Sequence, residues 1–398
     1  MENEDLLFFQ ILDEKKECGA IFFNNNLVDI FKPGEMTHTW SFSPHIKSLS
    51  IEYANIWSGG ATLDQVCPEE IKEEWKRINN RAKSFLASFE LAKINLGDNC
   101  LYDLLPENFL LEFYDLKNQI TKSVFEKFER PKNYDFLVDL VCFLHGIKAR
   151  KLNLKFENLK FTDQKVRNSF GKIKEIPPYI HYNPWNTATG RLATMPNSFP
   201  ILNLNKELRS AICPNNDLFI EFDYNAAELR VLFALLKQDQ PKEDVHMWVS
   251  KNIFESKYDR DTTKKKVFAW LYNPKAKNKK LNSYLNREKI LENFYKNGHV
   301  ATPFGREIAV EEEKAVNYMI QSTTSDLFLT SAIKIDKILK NKKSKIAFCV
   351  HDSLVIDFAK EEKNLISELA KIFSQTKFGI LKTNMSIGKN YGSMGKIQ

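Results

Sequence analysis

The amino-acid sequence predicts an α+β fold. Two stretches supply the strand signal: Leu218–Asp223, an apolar run rich in β-formers, and Ile346–Phe358, whose alternating flanks close on a tight turn at His351-Asp352. Helical spacing dominates elsewhere, and after Asp223 it follows the strand directly through Leu229, Leu232, Phe233 and Leu236.

Taken in order, residues 8–56 mix short β-like runs (Gly19–Phe23, Leu27–Phe31) with turn residues. Glu69–Leu96 reads as helix. Leu101–Lys151 keeps helical periodicity in Leu110, Phe113 and Leu116, then in Phe136, Leu140, Phe143 and Leu144. At Asp223 a strand hands over to a helix, so the carboxylate is fixed by a sheet yet faces outward at a turn, beside a main-chain carbonyl. Asp352 stands at a hairpin tip, a position Asp tolerates well.

Taken singly, each aspartate reads as a helix cap or turn former. The segment between them changes that reading. Arg260, Lys264, Phe268 and Tyr272 recur at four-residue steps and share one helical face, and Pro274 is expected to close the helix. Val267, Trp270 and Leu271 supply a separate apolar face for packing, which leaves the Arg/Lys/Phe/Tyr stripe free to grip a triphosphate and carry a sugar and base. Two distant carboxylates opposite two cations suit metal-assisted phosphoryl transfer.

These segments resemble the family A DNA polymerases, the DNA polymerase I type. Asp223–Arg230 resembles their motif A, Arg260–Tyr272 motif B on the fingers helix, and His351-Asp352 motif C. Thr187–Leu192 with Pro196-Asn197, Asp244-Val-His246, Thr302–Arg306 and Asn317–Thr323 resemble the intervening segments, in family order. The resemblance implies a right-hand polymerase with an antiparallel palm sheet and helical fingers and thumb. It implies that Asp223, Asp352 and the Tyr224 carbonyl bind two Mg²⁺ ions, with Mn²⁺ as a substitute. Lys264 would protonate the departing pyrophosphate. Arg260, His246 and Lys264 would hold the dNTP, Phe268 and Tyr272 would lie beside its sugar and the templating base, and Glu228 would sit under the 2′ position. Arg191, Gln321, Arg306 and Asn317 would contact primer-template DNA. The implied layout is an N-terminal segment of undecided role (1–100), a thumb (101–185), palm (186–240), fingers (241–310) and palm again (311–398). For Leu101–Phe170, helices that merely support the palm are a nearly equal reading.

The sequence also departs from the family pattern. Motif C usually reads His-Asp-Glu and here reads His351-Asp352-Ser353, so a carboxylate is missing at the tip; Ser353→Glu is expected to be tolerated. Motif B ends Tyr272-Asn273 in place of Tyr-Gly, and Glu313 stands where an Arg is usual. The span from motif B to Gln321 is short, which implies trimmed fingers. No aspartate is followed two positions later by glutamate, the usual opening of the proofreading exonuclease, so proofreading is expected from a separate polypeptide.

The chain has 398 residues, 43% hydrophobic, enough for two to four subdomains. Its net charge of +7 is concentrated in lysine clusters at 264–266, 275–280 and 334–345, a pattern suited to phosphate neutralisation, although 337–345 reads equally as a solvated helix face. Six dispersed cysteines with no Cys-x-x-Cys suggest neither zinc nor disulfides. The acidic opening Met1–Asp5 is unlike a leader, and no apolar run is long enough to span a bilayer. The expectation is therefore a soluble intracellular protein of the cytoplasm, the nucleoid or a phage-infected cell, working without a membrane and with a separate exonuclease or processivity factor as partner. Two alternatives stay open: a single-subunit RNA polymerase, which would need room for a 2′-hydroxyl at Glu228, and a non-catalytic DNA-binding polymerase homologue, which Ser353 keeps in view.

Overall fold

Near the N-terminus, alternating apolar residues build a small meander of β1 (Phe9–Ile11), β2 (Ile21–Phe23) and β3 (Asn26–Val28). Asn24 and Asn25, both left-handed (φ 49° and 58°), form the two-residue turn between β2 and β3, a conformation asparagine tolerates unusually well. The computed structural model describes residues 7–14, 17–46, 51–96, 98–159, 164–273 and 275–397, in two compact units, Met1–Cys142 and Phe143–Gln398. Met1–Asp5 and Pro274 lie outside the described residues.

In the first unit, α1 (Lys72–Leu91) and α2 (Glu107–Lys127) fall within the two stretches read as helical, the first ending before Leu96 and the second broken after Lys127, with a separate helix at Tyr134–Lys148. Trp75 and Ile78 of α1 meet Phe109, Leu116, Ile120 and Val124 of α2 in one core, and Phe22 of β2 meets Leu110 and Tyr114 of α2 in another. The span 101–185 expected as thumb is therefore divided, since α2 belongs to the core of the N-terminal unit. The expectation of a chain without disulfides is overturned: Cys18 and Cys100 are bonded, with Cα atoms 6.0 Å apart across 82 residues of sequence. Sequence spacing could not reveal this pairing, because tertiary packing alone brings the two residues together.

The second unit is organised by a five-stranded antiparallel sheet in the order β5-β6-β4-β7-β8. Its central strand β4 (Leu218–Tyr224) precedes α3 (Ala227–Leu235), α4 (Val245–Asn252) and α5 (Arg260–Tyr272). After α6 (Arg287–Phe294) come the 28-residue α7 (Glu312–Leu339), the hairpin β5 (Lys345–Val350) and β6 (Ser353–Phe358), α8 (Ile366–Ser374), β7 (Thr383–Gly388) and β8 (Gly395–Ile397). Strand alternation gives the sheet two different faces. On the core side Phe222 and Tyr224 pack on Phe373 of α8, Tyr224 stacked at 4.3 Å, and the Tyr224 hydroxyl donates to the Phe373 carbonyl at 2.7 Å. Glu221 and Asp223 consequently occupy the other face. Among the described residues no helix is long and apolar enough to cross a membrane.

Candidate active site

The register of β4 fixes what surrounds Asp223. Its Cα pairs with Ser353 of β6 on one side and Asn384 of β7 on the other, and Asn384 Nδ2 donates to Asp223 Oδ2 at 3.2 Å. Asp352 is brought beside it by the two-residue turn between β5 and β6, where His351 adopts a left-handed backbone (φ 55°). Burial pushes the Asp223 carboxyl up to about 6, with the negative charge of Asp352 as the second cause. Burial likewise raises Asp352, against the opposing charges of His351, Arg191 and Lys264.

Both aspartates and Tyr224 line a cleft of about 630 Å³, within the range of small-molecule sites. Across it stand the residues expected at the nucleotide: Arg260, Lys264 and Phe268 of α5, His246 of α4 and Glu228 of α3, with Arg191 at the margin. The expected stripe on α5 is formed. Lys264 Nζ lies 5.7 Å from the Phe268 ring centre, and Phe268 and Tyr272 stack at 5.6 Å with planes 6° apart, while Val267, Trp270 and Leu271 are buried.

Two of these groups are already engaged. Arg260 donates through Nε and Nη2 to Asp244 Oδ2 (3.1 and 2.9 Å), and Asp244 also caps α4 by accepting from the His246 and Met247 amides. Although burial alone would raise it, the hydrogen bonds from Arg260, Asn225 and the Met247 amide hold the Asp244 carboxyl well below the usual carboxylate range. Glu228 is buried and ion-paired with Arg191; burial raises its carboxyl and Arg191 opposes the shift. His246 is neutral at pH 7, since burial pushes its imidazole down to about 4, and its buried Nδ1 has no hydrogen-bond partner.

The remaining expected DNA contacts lie elsewhere. Tyr272 and Asn317 line a second cavity of about 550 Å³ with Arg287, Glu288, Glu312 and Glu313. Gln321 donates to Asn317 Oδ1 at 2.8 Å, one turn away on α7. Arg306, expected at the DNA, is instead turned into the protein: its Nε and Nη2 reach the fully buried Asp326 at 3.1 and 2.7 Å. Its guanidinium also crosses Gly190 so closely that a Cβ there would sit 2.5 Å from Nη2, and Gly190 has φ 71°. A carboxylate buried on α7 draws the arginine inward, a pairing no local sequence pattern could announce.

Several contributors escaped the sequence reading. Asn384 and Lys396 reach the cleft from β7 and β8, and their approach depends on a strand order that sequence does not reveal. Arg230, only 1% exposed, donates to the Asn225, Pro241 and Glu243 carbonyls and pins the connection between α3 and α4. Asn273, in the place of a usual glycine, has an extended backbone (φ −102°, ψ 108°) and accepts from the Lys275 amide, so this helix end needs no glycine.

The fold is that of a polymerase domain. It resembles the POL domain of Pol1 from M. smegmatis, solved in complex with DNA primer-template and dNTP, with a TM-score of 0.56 at 13% identity, over 72% of this chain and 76% of that one. Residues 275–393, which include Asp352, match the model of DNA polymerase family A. DNA polymerase I of Borreliella burgdorferi is 24% identical over 346 residues, covering 73% of this chain and 36% of the relative. The thermostable DNA polymerase I of Thermus aquaticus is 25% identical over 282 residues, covering 55% and 34%. A DNA polymerase of Bacillus phage SP01 is 36% identical over 94 residues, 20% of this chain. The chain spans about a third of the length of the first two relatives.

Proposed function

We propose that the chain is a template-directed DNA polymerase that adds dNTPs to a primer 3′-hydroxyl. The observation that carries this reading is the single cleft that joins Asp223 and Asp352 to Arg260, Lys264, His246, Phe268 and Glu228. Residues 186–240 and 311–398 are the palm and 241–310 the fingers, with the thumb role left to helical segments between 143 and 185. The donor set fits magnesium. Two carboxylates face one cleft, both raised by burial and Asp223 further by the charge of Asp352, and Mg²⁺ is commonly held by one or two carboxylates together with substrate phosphates.

Asp223 and Asp352, with the Tyr224 carbonyl, would hold two Mg²⁺, or Mn²⁺ in their place. Such ions, when bound, acidify the 3′-hydroxyl and neutralise charge on the triphosphate. Arg260 exchanges the Asp244 carboxylate for phosphate oxygens, so binding substitutes one anion for another. Lys264 holds the same phosphates and protonates the departing pyrophosphate. His246, neutral, offers a ring N–H to the triphosphate. Phe268 packs on the sugar, Tyr272 lies beside the templating base, and Glu228 fills the space below C2′. Arg191, Gln321 and Asn317 face the minor groove, where acceptor positions are common to all correct pairs.

Primer extension with Mg²⁺, supplied with dNTPs and NTPs in separate reactions, tests the reading. Extension with dNTPs alone is expected. Extension with NTPs would identify an RNA polymerase, and binding of primer-template without extension would identify a non-catalytic homologue. Asp223→Asn or Asp352→Asn should abolish extension and leave primer-template binding intact.

A further inference from the structure

We infer that Glu221 supplies the carboxylate missing at the hairpin tip, and that Ser353 holds it in place. The inference rests on the polymerase reading above. Ser353 stands where the resembled motif carries glutamate, and its hydroxyl donates to Glu221 Oε1 at 2.6 Å. Glu221 lies two residues before Asp223 on β4, so both side chains leave the same face of the sheet. Ser353 is the direct cross-strand partner of Asp223, while Glu221 pairs with Val355, one step farther along β6. The Ser353 hydroxyl therefore bridges diagonally and draws the Glu221 carboxylate toward the Asp223 end of the strand.

The arrangement preserves charge while changing its source. A glutamate at the tip would come from β6; here the extra negative charge comes from β4, and the tip keeps only a small donor. Since no three acidic or imidazole side chains among the described residues converge on one point, Glu221 is a positioning residue. With a metal bound at Asp223, Glu221 would add negative charge behind that ligand, in the manner of outer-shell partners whose loss lowers metal affinity by about 10- to 100-fold. The same geometry revises an expectation from the sequence. Ser353→Glu alone would set a second carboxylate against Glu221 in a nearly buried position, and is expected to be harmful unless Glu221 is also changed.

The test uses the full chain without DNA. Mn²⁺ affinity is read from the electron paramagnetic resonance signal of free Mn²⁺, and the Mg²⁺ concentration giving half-maximal primer extension is measured in parallel. Glu221→Gln, which keeps the shape and can still accept from Ser353, should weaken Mn²⁺ binding about 10- to 100-fold and raise the Mg²⁺ requirement. The double variant Glu221→Ser with Ser353→Glu should recover most of the lost affinity. Unchanged Mn²⁺ affinity in Glu221→Gln would overturn the inference, even if the swapped variant fails to fold. Asp223→Asn separates this result from failure of the broader reading. If Asp223→Asn abolishes Mn²⁺ binding and Glu221→Gln does not alter it, only the role of Glu221 falls. If neither variant alters it, the metal site itself is lost.

Discussion

At Asp223 the fold holds a carboxylate at a cost in stability. A carboxyl raised from 3.8 to about 6 favours the protonated form in the folded chain. Its stability contribution is thus complete below pH 3.8 and lost as pH rises through about 6, which leaves a penalty of about 3 kcal/mol at neutral pH. Asp223→Asn should therefore raise the metal-free stability of the unit, by about 1–3 kcal/mol in urea denaturation at pH 7.5, while abolishing extension. The gain should shrink at pH 4.5, and its absence at pH 7.5 would show that the site is not electrostatically strained. Glu228 carries a second expectation. It is buried and tied to Arg191; in the nucleotide placement proposed above it would leave no partner for a 2′-hydroxyl, and burying such a group unpaired costs roughly 1–3 kcal/mol. Glu228→Ala should raise kcat/KM for NTPs relative to dNTPs by about tenfold to a hundredfold. Residues were legible in the sequence where a local pattern carried them, as with Asp223, Asp352 and the four-residue stripe. Arg306 and Asp244 were not, because their partners are set by tertiary packing.

At the scale of elements, the strand-to-helix and hairpin junctions each contain a left-handed residue that is not glycine. Ala226 (φ 53°, ψ 57°) precedes α3 at the cleft, and His351 turns the hairpin. Left-handed alanine costs roughly 1–2 kcal/mol against its preferred conformations. Ala226→Gly should consequently stabilise the unit by about 1 kcal/mol, read from the urea midpoint, despite the greater freedom glycine has when unfolded. The Arg306–Asp326 pair makes the opposite case. Arg306→Ala would strand a fully buried carboxylate and should destabilise by about 3–5 kcal/mol, whereas Arg306→Met with Asp326→Leu should cost far less. A simple DNA contact would behave differently, weakening primer-template binding with stability unchanged. The helices and the hairpin were readable from periodicity, yet the sheet order that sets β7 beside Asp223 was not, since Asp223 and its neighbour Asn384 are 161 residues apart in sequence.

For the whole molecule, the two compact units are held by different devices, and this makes their responses separable. Met1–Cys142 contains the Cys18–Cys100 disulfide, which closes a loop of 82 residues; Phe143–Gln398 contains the paired aspartates. In the chain-entropy account a loop of that length contributes about 4.5 kcal/mol by restricting the unfolded state. In the other unit, a divalent ion that binds only the folded form stabilises by about 2.7 kcal/mol at a hundred times its dissociation constant, and more where it relieves the repulsion between Asp223 and Asp352. Hydrogen exchange read by mass spectrometry should separate the two effects. A reductant should speed exchange in β1–β3 and α2, with β4 and the β5–β6 hairpin unchanged. Mg²⁺ should slow exchange in β4 and that hairpin, with the first unit unchanged, and Asp223→Asn should remove only the Mg²⁺ effect. If reduction also loosens β4, the disulfide supports the site and the units do not respond independently; if Mg²⁺ protects nothing near Asp223 and Asp352, those carboxylates do not hold the ion.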